Sequence, residues 1–242
     1  MNQGTLKQIL LITDGCSNSG MNPVQAAKQA FQNGVIVNVI GVLEKHQSEL
    51  DPSFQEVEKI AQAGGGIHQV VYKEDLSQTV QAVTMQAMSQ TLQGVVHQEL
   101  KHIFGENHTL DDLEPAKRGE VMEVVDDLGE SCQLDVFILV DTSASMRDKL
   151  PTVKEALLDL SVNLDARNGV NHLAIYQFPH HKETIGIIHD WTETLTEMSV
   201  IFPKLISSGM TPTGPAIFEA LDQFGYKETS EWMYDEPYRQ EG

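Results

Sequence analysis

The sequence predicts a doubly wound α/β fold, in which helices flank a mostly parallel central sheet that carries one antiparallel edge strand. Two apolar runs rich in branched residues, Ile9–Ile12 and Val136–Val140, are typical of parallel strands covered on both faces. Strands and helices alternate along the chain, and strand-helix-strand units wind right-handed into a parallel sheet. The short segment Pro179–Lys182 between two strand patterns permits only a hairpin, which places an antiparallel strand at the sheet edge.

Residues 1–92 supply the first half of this sheet. Apolar runs and helical stripes predict strands Lys7–Thr13, Val35–Gly41 and His68–Tyr72, and helices from Pro23 to Gly34, from Phe54 to Ala63 and from Asp75 to Leu92. The three glycines at 64–66 lie between a helix and a strand. A phosphate-binding loop has the opposite order, so these glycines are interpreted as a helix end.

The composition changes at residues 93–132, which are interpreted as a helical connector. A helix that begins near Pro115 is predicted to carry the apolar stripe Val121, Val124, Val125 and Leu128. Residues 133–226 supply the second half of the sheet, with the strand ending at Asp141, a helix from Leu150 to Leu164, strands His172–Phe178 and Thr184–His189, a helix near Leu195–Leu205 and a last helix Thr213–Phe224. Residues 227–242 have no periodicity and are expected to form a flexible tail.

Short oxygen-bearing side chains follow the central strand of the second half. Asp141, Ser143 and Ser145 occupy alternate positions of a loop, so their oxygens can turn towards one point and hold a hard cation. Asp14 ends the first strand in the same way. Ligand sites of open parallel sheets lie outside the carboxyl ends of the strands, and neighbouring strands are about 4.8 Å apart. If these two strands are neighbours, both loops reach one ion.

The segment Asp141-Thr-Ser143-Ala-Ser145-Met146 resembles the Asp-x-Ser-x-Ser signature of the von Willebrand factor A (vWA) family. The metal-ion-dependent adhesion site (MIDAS) of that family takes further ligands from two other loops. Gly209-Met-Thr211-Pro-Thr213 resembles its Thr loop, and Thr13-Asp14-Gly15, after an apolar strand, resembles its Asp segment. The Asp segment comes last in the family and first here. The chain is therefore interpreted as a circularly permuted vWA domain with a Rossmann-like sheet, in which residues 1–92 resemble the second half of the family's domain and residues 133–226 its first half.

The resemblance implies that Mg²⁺, or alternatively Mn²⁺, is held by Asp141, Ser143, Ser145, Thr211 and Asp14. The three hydroxyls are expected to contact the ion, and the carboxylates to bind it directly or through water. Neutral hydroxyl ligands leave the ion under-neutralised, so an acidic side chain of a protein partner can complete its shell. The expected function is a metal-dependent protein-binding module that is not an enzyme.

A Mg²⁺-dependent phosphohydrolase is the alternative function, since an Asp after a central strand and a second Asp-bearing loop also describe phosphoryl-transfer sites. Two observations weaken it. Ser143 stands where an Asp-x-Asp phosphatase has its second acid, and no evident Lys or His accompanies the motif as general acid or phosphate clamp.

Charge and cysteine content exclude other classes. A formal net charge of -19 and a pI near 4.7 argue against binding to nucleic acid or to an anionic membrane. No apolar run spans a bilayer and residues 1–7 lack a signal-peptide pattern, so a cytoplasmic protein is expected. Cys16 and Cys132 are expected to be free thiols, because the extended strand between Cys132 and the metal loop holds them roughly 30 Å apart.

Two local alternatives and the assembly stay open at this point. Thr213 competes with Thr211 as a ligand, although its place before Gly214 and Pro215 favours a helix N-cap. His180 and His181 are interpreted as exposed loop residues rather than a soft-metal pair. The two halves of the sheet can combine within one chain, as a monomer, or between two chains, as a domain-swapped dimer.

Overall fold

The structure is a computed structural model that describes residues 5–15, 17–43, 52–104, 114–181, 183–193 and 210–234, with backbone alone at 52–54, 97–104 and 226–234. The strands in these ranges are β1 Thr5–Thr13, β2 Val35–Leu43, β3 Gly65–Tyr72, β4 Gln133–Asp141, β5 Asn171–Phe178 and β6 Gly186–Thr192. The helices there are α1 Pro23–Gln32, α2 Pro52–Ala63, α3 Leu76–Phe104, α4 Pro115–Ser131, α5 Leu150–Asp165 and α6 Thr213–Tyr234.

The six strands form one sheet in the order β3-β2-β1-β4-β5-β6. All neighbouring pairs are parallel except β5 and β6, so the predicted α/β class with an antiparallel edge strand is confirmed. The chain winds outward from β1 to β3 on one side of the sheet and outward from β4 to β6 on the other. The winding direction therefore reverses between β1 and β4, as in Rossmann-like sheets.

Alternate residues of each central strand enter two separate hydrophobic cores, because successive side chains of a strand point to opposite faces. Ile138 belongs to the core under α3, α4 and α5, whereas its neighbour Phe137 belongs to the core under α1, α2 and α6. Both residues are fully buried. Burial on both faces explains why β1 and β4 have continuous apolar sequences rather than alternating ones.

The predicted start and end of α1 are confirmed by their hydrogen bonds and backbone angles. The Asn22 side chain accepts a hydrogen bond of 2.9 Å from the Val24 backbone N–H, and Pro23 occupies the first turn. Gly34 has a φ of 78°, a left-handed conformation that glycine adopts at low cost. Asn22 therefore caps the start of α1 and Gly34 follows its end, as the sequence predicts.

Three helices differ from expectation. The helix predicted from Asp75 to Leu92 continues to Phe104 as α3, so it runs into the segment that was interpreted as the connector. The last helix, predicted to end at Phe224, continues to Tyr234, since Lys227, Glu228 and Glu231 are all good helix formers. The predicted apolar stripe of α4 is wrong in part: Val125 is buried, but Val124 is 53% exposed. This helix packs mainly on α3, so the side chains that this packing buries lie along one narrow line of the helix surface.

Some predictions fall outside the described residues, namely those for Cys16, for Gly209 and for the helix near Leu195–Leu205. Among the helices that the structure describes, none is long and apolar enough to cross a bilayer.

Candidate functional site

The two predicted acidic loops meet at the carboxyl ends of adjacent strands. β1 and β4 pair in parallel, with Ile12 opposite Val140, so Asp14 and Asp141 leave the sheet side by side. This is the point where the winding of the sheet reverses, which is where open α/β sheets bind ligands. The expectation that the two strands are neighbours is confirmed.

Asp141 is fully buried and joins the two loops. Its Oδ2 accepts a hydrogen bond of 2.7 Å from the Thr13 hydroxyl, and its Oδ1 accepts one of 2.8 Å from the Ser143 backbone N–H. Burial raises the pKa of Asp141 to about 6, and the nearby charge of Asp14 adds to the rise, while hydrogen bonds from the Thr13 hydroxyl and from the backbone and side chain of Ser143 oppose it. Asp141 therefore orients Thr13 and Ser143 rather than facing solvent.

The two serine hydroxyls and Asp14 form a continuous polar line. The Ser145 hydroxyl donates a hydrogen bond of 2.8 Å to Asp14 Oδ1, and the Ser143 and Ser145 hydroxyl oxygens are 3.2 Å apart. A 3-10 turn, Ala144–Met146, sets this spacing, and the buried Met146 side chain anchors the turn in the core. Ser145 is exposed, so the line is buried at Ser143 and opens to solvent at Ser145.

Lys149 is the functional candidate that sequence reasoning missed. Its ammonium group donates to Asp14 Oδ2 in a short ion pair and to the Ser145 carbonyl oxygen at 3.3 Å, and the side chain is only 2% exposed. The expectation that no lysine accompanies the motif is therefore wrong. The residue directly precedes α5, and only the compact turn after Asp141 brings it back to the site.

Thr211 lies in the segment that leads into α6 and is tied to the loop after β1. Its backbone N–H donates to the Asn18 side chain at 2.8 Å, and the Asn18 N–H donates to the Thr211 carbonyl at 3.2 Å. Among the described residues, no hydrogen bond joins the Thr211 hydroxyl to Asp14, Asp141 or the two serines. Four of the five predicted ligands are thus linked by hydrogen bonds or close hydroxyl contact, and Thr211 is connected through Asn18.

Thr213 does not cap α6 as predicted. It is the first residue of the helix, and its buried hydroxyl has no hydrogen-bond partner in the part of the chain that the structure describes. The first helical hydrogen bond, from Ala216, is accepted by the carbonyl of Pro212 instead. A buried hydroxyl without a hydrogen bond costs free energy, so the Thr213 hydroxyl is again a candidate for contact with a bound ligand or a water.

The donor chemistry of this site is oxygen only, which suits Mg²⁺ or Mn²⁺ and not a soft metal. No group of three His, Cys, Asp or Glu side chains able to hold a metal occurs in the described ranges, so any ion here depends on the hydroxyls. The His180 and His181 rings are 6.4 Å apart and tilted, and only His181 is exposed. The candidate metal site is therefore the group of carboxylate and hydroxyl oxygens at the β1 and β4 ends.

An open groove adjoins the Thr211 segment. Met210 and Pro212, which flank Thr211, line it together with Ser19, Ile187 and Glu219. Met210 is 60% exposed and Ile187 is 63% exposed. The surface beside the Thr211 segment, towards α6 and the sheet edge, is therefore partly apolar.

Two known proteins are similar to this chain over nearly its whole length. The chain is 59% identical over 225 residues to the uncharacterized protein YabS of Bacillus subtilis (strain 168), covering 93% of this chain and 91% of that protein. The crystal structure of an uncharacterized protein from Alicyclobacillus acidocaldarius subsp. acidocaldarius DSM 446 matches with a TM-score of 0.85 and 40% identity, covering 94% of this chain and 97% of the other. No family model matches the sequence.

Proposed function

The chain belongs to the same family as the YabS protein of Bacillus subtilis. For this chain we propose a divalent-metal-dependent protein-binding function. In this proposal Asp14, Asp141, Ser143, Ser145 and Thr211 form a MIDAS-type site for Mg²⁺ or Mn²⁺, and an acidic side chain of a partner protein completes the shell of the ion. The observation that carries it is the polar line from Asp14 through Ser145 to Ser143 at the reversal point of the sheet.

The hydrogen bonds orient the proposed ligands for a cation. Ser145 gives its proton to Asp14, so the lone pairs of the hydroxyl oxygen remain available. Asp141 holds Ser143 through hydrogen bonds from its backbone N–H and its side chain, and the Ser143 hydroxyl oxygen also lies 3.2 Å from that of Ser145. When bound, the ion supplies a positive centre that attracts a carboxylate. Oxygen donors that include few charges leave it in need of such a group.

Charge at the site supports an acidic partner group. Asp141 is buried below the serines, and the other ligands proposed beside Asp14 are neutral hydroxyls. An octahedral divalent ion among these groups keeps open positions that an acidic side chain can fill. The chain as a whole carries -19, so an acidic contact must be made locally, at the ion, while the rest of the partner avoids strong negative charge.

We also propose the cytoplasm as the location. Cys132 is a free and buried thiol whose pKa is raised by burial, so it stays protonated and unreactive. Free thiols are typical of a reducing compartment.

A Mg²⁺-dependent phosphohydrolase is the second candidate, because Lys149 is an ammonium group beside an acid of the site, where a phosphate clamp or general acid is needed. The position of Asp141 disfavours it. That carboxylate is fully buried and both of its oxygens accept hydrogen bonds, so it does not present an oxygen to a substrate phosphorus.

The test of the binding function is a thermal melt of the protein in Mg²⁺ or Mn²⁺ against chelator. An ion that binds only the folded state adds about 2.7 kcal/mol of stability at roughly 100 times its Kd. We expect the midpoint to rise in the parent and not in the double variant Ser143→Ala, Ser145→Ala. Ser131→Ala, at the end of α4, is the matched control and should respond like the parent.

Two threonine variants identify the third loop's ligand. Thr211→Val keeps the backbone hydrogen bonds to Asn18 and removes only the hydroxyl, so it should weaken the metal response about tenfold in Kd if Thr211 is the ligand. Thr213→Val removes the unsatisfied hydroxyl and should leave the response unchanged. The reverse result would assign the role to Thr213. Absence of any metal response in the parent would reject the proposal, and turnover of a phosphate ester that is lost in Asp14→Asn would favour the hydrolase.

A further inference from the structure

Lys149 places a positive charge inside the candidate metal site. Its side chain and that of Asp14 are 2% and 3% exposed, and the ammonium group also reaches the Ser145 carbonyl oxygen. Lysine is almost never buried this completely without a paired acid. The Lys149 ammonium group therefore neutralises Asp14, beside the second carboxylate of Asp141, as a bound cation would do.

The backbone fixes Lys149 in this position. Its N–H donates to the Met146 carbonyl at 2.8 Å, and its own carbonyl accepts from Val153 at 3.0 Å in the first turn of α5. Met146 and Val153 are both fully buried. The Cα of Lys149 is thus held rigidly, and the long side chain is the part that can move.

The oxygens of Asp14 are both engaged. Oδ1 accepts the Ser145 hydroxyl proton and Oδ2 accepts the Lys149 ammonium group. A divalent ion at the serine hydroxyls would lie within a few ångströms of this ammonium group. Like charges at that distance repel strongly in a site with little water. The ammonium group and the ion therefore compete for the same carboxylate.

We propose that Lys149 is a tethered cation that stabilises the metal-free site and competes with the divalent ion for Asp14, thereby setting the metal affinity. The inference rests on the proposed function, because it concerns the regulation of that site. It assigns Lys149 two opposite effects: it stabilises the protein without metal and weakens metal binding. When the ion binds, the flexible stem of Lys149 withdraws its ammonium group towards solvent.

The test compares Mn²⁺ affinity and urea unfolding of the parent with those of Lys149→Met and Lys149→Gln. Methionine keeps the unbranched stem without charge, and glutamine keeps a hydrogen-bond donor for Asp14. We expect both variants to bind Mn²⁺ at least tenfold more tightly than the parent. In chelator they should unfold at lower urea concentration, and saturating Mn²⁺ should restore the midpoint.

Lys117→Met is the matched control, because it removes the same charge from an exposed position on α4. Its affinity should equal that of the parent. If the parent binds Mn²⁺ and the Lys149 variants bind it equally or more weakly, the competition is rejected while the proposed function stands. If neither the parent nor the variants bind, the proposed function and the inference both fall. Binding of Mn²⁺ to the Lys149 variants and not to the parent would show that Lys149 prevents the ion from binding at the site.

A measurement on the parent covers the case in which the variants do not fold. Brief acetylation followed by mass spectrometry reports how accessible each lysine amine is. Saturating Mn²⁺ should increase the labelling of Lys149 several-fold and leave that of Lys117 unchanged. Unchanged labelling of Lys149 in a protein that binds Mn²⁺ would overturn the withdrawal of the ammonium group.

Discussion

At the scale of single residues, Asp141 carries an electrostatic cost that the fold tolerates in order to orient two loops. Burial raises its pKa from 3.8 to about 6, although Thr13 and Ser143 both donate to its oxygens. A carboxyl that binds its proton more tightly in the folded state favours folding at low pH. This contribution is fully present below the unfolded pKa and is lost as pH rises towards the folded value.

The change Asp141→Asn should expose that cost. In chelator, the unfolding free energy of the parent should fall relative to that of the variant by about 2 kcal/mol between pH 4 and about pH 6.5, at roughly 1.36 kcal/mol per pKa unit. The Asn side chain has no titration, so the variant lacks this slope. Urea titrations at a series of pH values measure it. Asp148→Asn, at an exposed position in the same segment, is the control and should keep the parent's slope. Equal slopes in all three proteins would contradict the raised pKa.

Individual site residues differ in how far the sequence predicts them. Asp14, Asp141, Ser143 and Ser145 follow directly from strand ends, because the carboxyl ends of parallel strands meet at one edge. Lys149 was not predicted, since its contact with Asp14 depends on the path of the 3-10 turn and not on any spacing along the chain. The missing N-cap at Thr213 has a similar cause: helix starts shift by a residue, and one residue decides which side chain can cap.

At the scale of elements, strands were predicted better than helix packing. The continuous apolar runs of β1 and β4 specify burial on both faces and hence a central place in the sheet. The α4 stripe was wrong in part because a helix with several apolar residues need not cover all of them. Its packing against α3 is narrow, through Val125 and Gly129, which lie one turn apart.

The change Gly129→Ala tests this narrow contact. A methyl group there would lie 3.6 Å from Met88 Cε and 3.8 Å from Leu92 Cδ1, both ordinary contact distances. Glycine inside a helix costs roughly 0.5–1 kcal/mol relative to alanine. We expect the variant to unfold at higher urea concentration, with a gain of about 1 kcal/mol or more, because it adds apolar burial to the helix propensity.

Two further glycine variants are the controls for Gly129→Ala. Gly119→Ala lies in the same helix with nothing within 4 Å of the added carbon, so it should show the propensity gain alone. Gly66→Ala should destabilise the protein, since its Cβ would overlap the carbonyl oxygen of Val37. A loss of stability in Gly129→Ala would mean that α4 is not seated on α3 as described.

At the scale of the whole molecule, the two halves of the sheet are joined by the β1 and β4 pair and by the packing of α3 on α5 and of α1 on α6, and we expect these contacts to form within one chain. Light scattering should therefore give a mass of 26.8 kDa. Twice that mass would favour exchange of halves between two chains. The order of the elements along the chain does not matter for this pairing, which makes the circular permutation directly testable.

A chain rearranged into the order implied by the vWA resemblance should fold to the same sheet. It would begin at Pro115, run to Gly225, continue through a flexible linker to Thr5 and end at Phe104. Lys7 and Gly225 line the same cavity, and a linker of about eight residues reaches up to roughly 27 Å, so the new connection is unstrained.

We expect the rearranged chain to be monomeric, with unchanged circular dichroism and a thermal midpoint within about 5 °C of the parent, since every strand pair and both cores are retained. Its metal response should match that of the parent. A second rearrangement opened at Asn18 is the control, because it cuts the loop that holds Thr211 and should lose the metal response even if it folds. If the first rearrangement stays unfolded across linkers of four to twelve residues, the two halves depend on their present connection, and the chain is not a permuted form of a vWA domain.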